Sequence, residues 1–154
     1  MISTSVSENF SQNFDIANSY YNSSKYNKSI QLYEEILKDG WHSAYLYYNL
    51  GNAYYRNGMI GQSIWAYNKA ISLKPELAEV HSNLGLILEE LGRFEEAEIS
   101  FKKAVKLKPN LAEAYINLGK ILLEQGKIDD AEASYNKAIN LRPDKFPDAY
   151  DQLA

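Results

Sequence analysis

The sequence predicts an all-α fold made of antiparallel helix pairs, because most of the chain repeats itself at a fixed interval. Two glycines, one alanine and one proline recur every 34 residues. The recurring positions are Gly51, Gly85 and Gly119; Gly58, Gly92 and Gly126; Ala70, Ala104 and Ala138; and Pro75, Pro109 and Pro143. A repeated unit of this kind buries its apolar residues against its neighbours, so we expect the core to run through a stack of repeats.

The first helix of each repeat carries a glycine on its apolar stripe. Tyr47, Leu50 and Gly51 fall on one side of a helix at about 100° per residue. A glycine inside a helix costs about 1 kcal/mol relative to alanine. We therefore expect the missing side chain to allow the second helix to approach closely.

The second glycine and the proline are expected to end the two helices of each repeat. Gly58, Gly92 and Gly126 suit the left-handed conformation that ends the first helix of a repeat. The proline ends the second helix, which lies between the glycine and the proline. The segment "FEEAE" at 94–98 puts acidic residues at the start of a second helix, and "KKAVKLK" at 102–108 puts basic residues at its end. The helix dipole favours both placements.

These positions resemble the tetratricopeptide repeat (TPR) family, whose pattern is a large residue, Leu-Gly, a large residue, Ala, an aromatic residue, Ala and Pro. The block 112–145 follows it with Tyr115, Leu118, Gly119, Leu122, Ala131, Tyr135, Ala138 and Pro143. The block 78–111 differs by His81 at the first large position, and 44–77 by Ser63 at the first Ala. The resemblance implies an α-solenoid of helix pairs that follows a right-handed superhelix. It also implies a small second-helix residue facing each glycine, namely Ser63, Ala97 and Ala131.

The resemblance divides the chain into four complete repeats with a short segment at each end. We expect a disordered N-terminus over 1–9, a degenerate first repeat over 10–43, and three further repeats over 44–77, 78–111 and 112–146. Residues 147–154 would begin a fifth repeat or form a cap helix.

Composition excludes several classes of function. The net charge of −4 gives no general attraction for phosphate backbones or anionic lipid, so we expect no nucleic-acid partner. Zero cysteines exclude disulfides and thiolate metal sites and fit a reducing compartment. The sequence has neither a signal-like start nor a long apolar run. We therefore expect a cytoplasmic protein without a membrane span.

The sequence contains no pattern of residues typical of an enzyme. Of the two histidines, His42 and His81, the second occupies a core position of its repeat. The acidic pairs are adjacent residues without the spacing of a metal-binding loop, and no phosphate-binding glycine loop is present. We expect no catalytic residues, no metal and no cofactor.

The remaining candidate surface is the face of each first helix opposite the Leu-Gly stripe. In the resembling family this face lines a concave groove that holds peptides. The resemblance assigns to the groove Tyr45, Tyr48, Asn49, Asn52, Tyr55, Arg56, Ser82, Asn83, Leu86, Ile116, Asn117 and Lys120. It adds Phe14, Asp15, Asn18, Tyr21 and Asn22 from the degenerate repeat and, from the later repeats, Glu79, Glu89, Glu90, Glu113, Leu123 and Glu124.

Three features of this face predict its chemistry. Asn49, Asn83 and Asn117 form a ladder whose amides either bind a peptide main chain or bond neighbouring helices, and the sequence leaves both alternatives open. The tyrosines of the first two repeats are candidate anchors. Acidic residues in the last two repeats favour a basic segment of the partner.

One known binding mode of the family does not fit. Repeats that clamp the terminal carboxylate of heat-shock chaperones use lysine at the fifth place of a repeat. Here the fifth places hold Phe14, Tyr48, Ser82 and Ile116. We therefore expect a different class of peptide.

The sequence thus favours a non-enzymatic scaffold that binds a peptide segment of a partner protein in the TPR groove. Two alternatives remain open. The chain could assemble with itself through an uncapped C-terminal end carrying Tyr150 and Leu153, or it could be the targeting segment of a larger enzyme. The tyrosine-rich segment 47–64 also resembles repeats of bacterial aerotolerance-operon proteins, which implies a bacterial source.

Overall fold

A computed structural model describes residues 4–142 of the chain. Within this range the chain forms eight α-helices and no strand. The helices are α1 Thr4–Asn22, α2 Tyr26–Lys38, α3 Ala44–Arg56, α4 Ile60–Leu73, α5 Ala78–Glu90, α6 Phe94–Leu107, α7 Ala112–Glu124 and α8 Ile128–Leu141. The prediction of an all-α fold is confirmed.

The helices group into two compact units, Met1–Pro75 and Glu76–Ala154, which we call unit 1 and unit 2. In unit 1, α1 packs on α2, α2 on α3, and α3 on α4. In unit 2, α5 packs on α6, α6 on α7, and α7 on α8. Each unit therefore contains two consecutive helix pairs.

Large side chains fill the core of each unit. In unit 1 a buried cluster includes Ile30, Tyr33, Leu50 and Tyr54. The matching cluster of unit 2 contains Leu88, Phe101, Leu118, Ile121, Leu122 and Tyr135. Full burial of such a side chain contributes about 1.5 to 3 kcal/mol, so these clusters are the main source of stability in both units.

The predicted helix ends are confirmed at three turns. Gly58, Gly92 and Gly126 have positive φ values of 78°, 72° and 74°. At the first turn the Met59 N–H donates to the Tyr54 carbonyl oxygen at 2.8 Å, the 6→1 bond that closes a helix followed by a left-handed residue. Each first helix therefore stops at the same point of its repeat.

The predicted close approach at the in-helix glycines is also confirmed, and an aromatic ring makes the contact. A Cβ on Gly51 would lie 2.6 Å from the ring of Tyr67. The small residue Ser63 instead contacts the glycine's backbone, because its Oγ donates to the Gly51 carbonyl oxygen at 2.8 Å. The second helix therefore holds the glycine through both a ring and a hydroxyl.

The N-terminal helix begins earlier than predicted. We expected residues 1–9 to be disordered, whereas α1 starts at Thr4. The ring of Phe10 stacks on Trp41 with centroids 4.6 Å apart, which anchors α1 near its beginning. Because no glycine or proline interrupts the residues before Phe10, the helix extends toward the N-terminus.

Some predictions fall outside the described residues. These include Pro143, the fifth repeat over 147–154, and the candidate assembly residues Tyr150 and Leu153.

His81, which we predicted to be a core residue, is buried.

Candidate functional site

The first-helix face of unit 1 contains a pocket lined by amide and phenol side chains. Its volume is about 280 Å³. The lining residues are Asn18, Tyr21 and Asn22 of α1, Tyr33 of α2, and Asn49 and Asn52 of α3. We call it the amide pocket, and none of these lining residues carries a charge at neutral pH.

Hydrogen bonds fix three of these side chains. The Asn18 Oδ1 accepts from the Asn49 Nδ2 at 3.0 Å and from the Tyr33 hydroxyl. Burial raises the pKa of Tyr33 to about 12, so its hydroxyl stays protonated as a donor. Asn49 therefore makes a bond between neighbouring helices, which uses one of the two N–H donors of its amide.

A second pair repeats this arrangement on α3 and α4. The Tyr67 hydroxyl donates to the Asn52 Oδ1 at 2.6 Å. Tyr67 is 1% exposed, so a buried side chain sets the orientation of an amide that lines the pocket. An asparagine amide can make up to four hydrogen bonds, so the single bond to Asn18 does not use the full capacity of Asn49.

The Arg56 guanidinium and the ring of Tyr26 lie beside Tyr21, at one border of the amide pocket. The Arg56 guanidinium lies over the ring of Tyr26, 5.2 Å from its centroid. The rings of Tyr21 and Tyr26 meet edge to face at 5.5 Å. Burial raises the pKa of Tyr21, and the nearby Arg56 opposes that rise. Arg56 therefore lies close to the Tyr21 hydroxyl.

The other predicted tyrosines occupy different surroundings. Tyr48 and Tyr55 are half-buried, and the ring of Tyr48 lies 6.2 Å from that of Tyr67. Tyr45 is 51% exposed and contacts Lys74, whose Nζ lies 5.0 Å from the ring centroid and donates to the hydroxyl at 3.1 Å. Tyr45 therefore does not line the amide pocket.

The corresponding face of unit 2, on α5 and α7, is acidic. Glu89 is half-buried, and burial raises the pKa of its carboxyl. The nearby ammonium of Lys120 opposes this rise, whereas the negative charges of Glu124 and Glu90 add to it. This part of unit 2 therefore combines a partly desolvated carboxylate with one cation.

Two further predicted acidic residues lie beside basic groups. Glu79 pairs with the Nζ of Lys108 at 2.6 Å, a bond that lowers the pKa of its carboxyl. Glu113 is exposed and lines a pocket with Lys108 and Arg142. The negative charge at these two positions is therefore partly compensated.

The remaining predicted residues of unit 2 differ in exposure. Leu86 and Ile116 are half-buried and pack against the core, while Asn83 and Asn117 are half-buried amides. Ser82 is only 8% exposed. Our expectation of an accessible serine at this position is therefore wrong, because the side chain turns out to lie inside the protein.

Residues 4–142 offer neither a metal site nor a membrane span. No group of three acidic or histidine residues in this range is arranged to hold a metal ion. None of its helices has the length and apolar character needed to cross a membrane.

Two family models described as tetratricopeptide repeat match the chain, one over residues 44–77 and the other over 76–144. The chain belongs to the TPR family. The first match has the same bounds as the second predicted repeat. A comparison with curated proteins found no match.

Solved structures of TPR proteins are similar to the chain. MamA is 25% identical with a TM-score of 0.83, over 89% of this chain and 80% of MamA. YrrB, a TPR protein with an unusual peptide-binding site, is 22% identical with a TM-score of 0.78, over 90% and 71%. The first TPR of Spaghetti, bound to the HSP90 peptide SRMEEVD, is 25% identical with a TM-score of 0.68, over 72% and 87%.

The TPR pattern also explains which pocket residues were overlooked. Tyr33 and Tyr67 stand at the aromatic core position of their repeats, and we treated that position only as packing. Their hydroxyls nevertheless reach asparagines 15 residues earlier, Asn18 and Asn52. A tyrosine at the core position with an asparagine at this spacing is the sequence signal that could have identified the pairs.

Proposed function

We propose that the chain is a non-enzymatic, cytoplasmic protein-interaction module in which the amide pocket of unit 1 binds the main chain of a peptide segment from a partner protein. The observation that supports this most directly is the pocket lining, which has four asparagines and no charged side chain. Such a lining matches the polarity of a peptide group rather than that of an ion.

The chemistry of amides favours an extended peptide. A peptide in extended conformation presents N–H and C=O groups that are unpaired along its edge, and an asparagine side chain can both donate to and accept from such groups. Each bond adds about 0.5 to 1.5 kcal/mol, so several amides are needed for useful affinity. The bonds from Tyr33 and Tyr67 hold two of these amides in place before a ligand arrives, which lowers the entropic cost of binding.

Aromatic side chains next to the pocket would bind one side chain of the peptide. Tyr21 lines the pocket and Tyr48 is close enough to influence the pKa of Tyr21; both are half-buried, so each presents part of a ring that is already held by the protein. Rigid tyrosine rings give large contact areas at low entropic cost. With Arg56 nearby, an aromatic side chain of the peptide is the best match, because it can stack on both rings and guanidinium.

Two structural neighbours are consistent with this proposal. YrrB and the first TPR of Spaghetti are both TPR proteins associated with peptide binding. The HSP90 peptide is not the ligand that we propose for this chain. Repeats that clamp the terminal carboxylate of heat-shock chaperones use lysine at the fifth place of a repeat. Lysine is missing from that place in all four repeats of this chain.

A peptide array followed by calorimetry tests the proposal. The array would hold ten-residue peptides with one central aromatic residue, and the tightest binder would be titrated into the wild-type chain. Asn22→Ala removes an exposed amide that lines the pocket, and we expect it to weaken binding about threefold to tenfold.

The matched control is Asn68→Ala, which removes an exposed amide on α4 that does not line the pocket. We expect this variant to bind as the wild type does. Equal affinity of all three proteins for the peptide, or no binding by any array member, would overturn the proposal.

A further inference from the structure

In unit 1 a buried tyrosine and an asparagine 15 residues before it form a pair in both repeats. The Tyr33 hydroxyl donates to Asn18, and the Tyr67 hydroxyl donates to Asn52. Each tyrosine is 1% exposed, so its hydroxyl needs an acceptor inside the protein. The asparagine supplies that acceptor in both cases.

Unit 2 holds different residues at the equivalent positions. In the third repeat they are Leu86 and Phe101, neither of which has a polar side-chain atom. In the fourth repeat Tyr135 keeps the hydroxyl, but Lys120 replaces the asparagine and has no acceptor to offer. The hydroxyl oxygen of Tyr135 is buried and has no hydrogen-bond partner among the residues described.

The Tyr135 hydroxyl lies toward the first-helix face of unit 2. A Cβ on Gly119 would lie 2.8 Å from the Tyr135 ring, so the ring packs directly on α7. Glu89 of α5 is close enough for its charge to raise the pKa of Tyr135, in addition to the effect of burial. The hydroxyl is therefore near residues of both α5 and α7.

The third repeat shows that this fold does not require the hydroxyl. Phe101 fills the same core position and packs on Gly85 as Tyr135 packs on Gly119. An unpaired buried hydroxyl destabilises a protein, so phenylalanine would be the better residue in the fourth repeat if packing alone mattered. Buried unpaired groups are rare in native proteins, so this one calls for an explanation, and a functional role is one of them.

We infer that Tyr135 determines specificity on the unit 2 face by donating its hydroxyl to a main-chain carbonyl of a bound peptide, whose adjacent lysine or arginine pairs with Glu89. This inference rests on the peptide-binding function proposed above. It adds a second contact region and names the chemistry of the peptide that the region accepts.

The charges of the face favour a basic peptide over an acidic one. Glu89 is flanked by Glu90 on its own helix and by Glu124 on α7, and the charge of Lys120 acts on it in the opposite sense. A half-buried carboxylate has lost part of its hydration, so a new cation beside it gains more than it would at a fully exposed carboxylate. An acidic side chain would meet repulsion from three carboxylates.

Access of a peptide to the buried hydroxyl depends in this inference on movement of the Lys120 side chain. Lys120 stands where Asn18 and Asn52 reach the hydroxyl in unit 1, and it is exposed. A long exposed lysine side chain changes rotamer in picoseconds to nanoseconds. The inference requires that this rotation opens a path from the peptide to the Tyr135 hydroxyl.

The test compares two matched sets of ten-residue peptides on the full chain. Members of one set carry a single central lysine, and members of the other carry glutamate at the same place. Fluorescence polarisation would measure their affinities for wild type, Tyr135→Phe and Tyr115→Phe. Tyr115→Phe is the control. It also removes one tyrosine hydroxyl from the fourth repeat, but Tyr115 belongs to the core-facing stripe of its helix.

We expect the lysine set to bind more tightly than the glutamate set. Tyr135→Phe should weaken the tightest lysine peptide about threefold to tenfold, the effect of one hydrogen bond, and Tyr115→Phe should leave it unchanged. The melting temperature of Tyr135→Phe should equal or exceed that of the wild type, which shows that lost binding is not lost folding.

Failures of the two proposals are distinguishable. If Tyr135→Phe binds the lysine peptide as well as wild type does, the inference is wrong and the amide pocket is unaffected. If lysine peptides do not bind, but aromatic peptides do and Asn22→Ala weakens their binding, the inference about Tyr135 is wrong and the proposal for the amide pocket is supported. If neither class of peptide binds, both proposals are wrong.

Discussion

Tyr67 donates its hydroxyl to the Oδ1 of Asn52 at 2.6 Å, and the ring of the same tyrosine lies against Gly51. One side chain of α4 therefore fills the space that the glycine leaves and fixes an amide that lines the pocket. Because both contacts depend on Tyr67, the packing between helices and the geometry of the amide pocket are coupled.

Replacing tyrosine by phenylalanine should affect the free energy of unfolding differently at Tyr67, whose hydroxyl is paired, and at Tyr135, whose hydroxyl is not paired within residues 4–142. Tyr67→Phe should lower the free energy of unfolding by about 0.5 to 1.5 kcal/mol, because it removes a hydrogen bond to Asn52. Tyr135→Phe should leave it unchanged or raise it, because the Tyr135 hydroxyl has no partner within the described part of the chain. Urea unfolding followed by circular dichroism measures both values. Equal losses in the two variants would contradict this account.

Restoring the missing acceptor should stabilise unit 2. Lys120→Asn places an amide at the position from which Asn52 reaches Tyr67, so we expect a gain of about 0.5 to 1.5 kcal/mol in the free energy of unfolding. The gain should disappear when Lys120→Asn is combined with Tyr135→Phe, since the donor is then gone. A double-mutant cycle in urea measures this coupling, and a gain that survives in the double variant would rule out the predicted bond.

The glycine contact predicts that two alanine substitutions differ in sign. A Cβ on Gly51 would lie 2.6 Å from the Tyr67 ring, and such overpacking costs about 1 to 3 kcal/mol. Alanine's better helix propensity recovers about 1 kcal/mol, so we expect Gly51→Ala to lose about 1 kcal/mol in total. The equivalent place in the first repeat holds Ala17, which is fully buried, so the fold accommodates a methyl group at this position of a repeat.

Gly61→Ala is the matched control for that prediction. Gly61 lies in α4, and a Cβ there would meet no atom within 4 Å. This variant should gain about 0.5 kcal/mol from reduced freedom of the unfolded chain. Thermal unfolding of both variants gives the comparison, and a Gly51→Ala protein as stable as Gly61→Ala would show that the ring contact is unimportant.

A buried carboxylate in unit 2 predicts a pH dependence of stability. Glu98 is 7% exposed and accepts from the Nζ of Lys102 at 2.5 Å and of Lys127 at 2.7 Å. Burial alone would raise the pKa of Glu98, but the bonds from the two lysines outweigh it and lower the pKa to about 2. A carboxyl whose pKa is lowered on folding stabilises the folded state above its unfolded pKa of 4.5, and this contribution is lost as the pH falls toward 2.

Glu98→Gln tests this ion pair. At pH 7 we expect the variant to be less stable by about 1.5 to 3 kcal/mol, the range for hydrogen bonds to charged groups. The difference from wild type should shrink steadily between pH 4.5 and pH 2. Urea unfolding at several pH values measures it, with the exposed Glu132→Gln on α8 as a control. A difference that does not vary with pH would exclude the carboxylate as its source.

Most of the fold could be predicted from the sequence because the signals are local and are repeated. The three turn glycines have the conformation expected of them, and the apolar stripe around Gly51 faces the second helix. The early start of α1 could not be predicted in this way, since it depends on the contact between Phe10 and Trp41, which lie far apart in the chain.

The candidate site was less accessible to sequence reasoning. Position within a repeat identifies which helix face a residue occupies, but it does not show which atoms come within hydrogen-bond distance. The bond between Asn49 and Asn18 depends on how closely α1 and α3 approach, and the burial of Ser82 depends on packing around α5. Both depend on distances between helices that a repeat pattern leaves unspecified.

The central claim is that the amides of unit 1 contact a peptide, and nuclear magnetic resonance of side-chain amides tests it most directly. At 17.6 kDa the chain is small enough for such spectra. On titration with the tightest aromatic peptide of the array, the side-chain amide signals of Asn22, Asn49 and Asn52 should shift, while those of Asn68 and Asn136 should not. Saturable binding that leaves the three pocket amides unshifted would contradict the account.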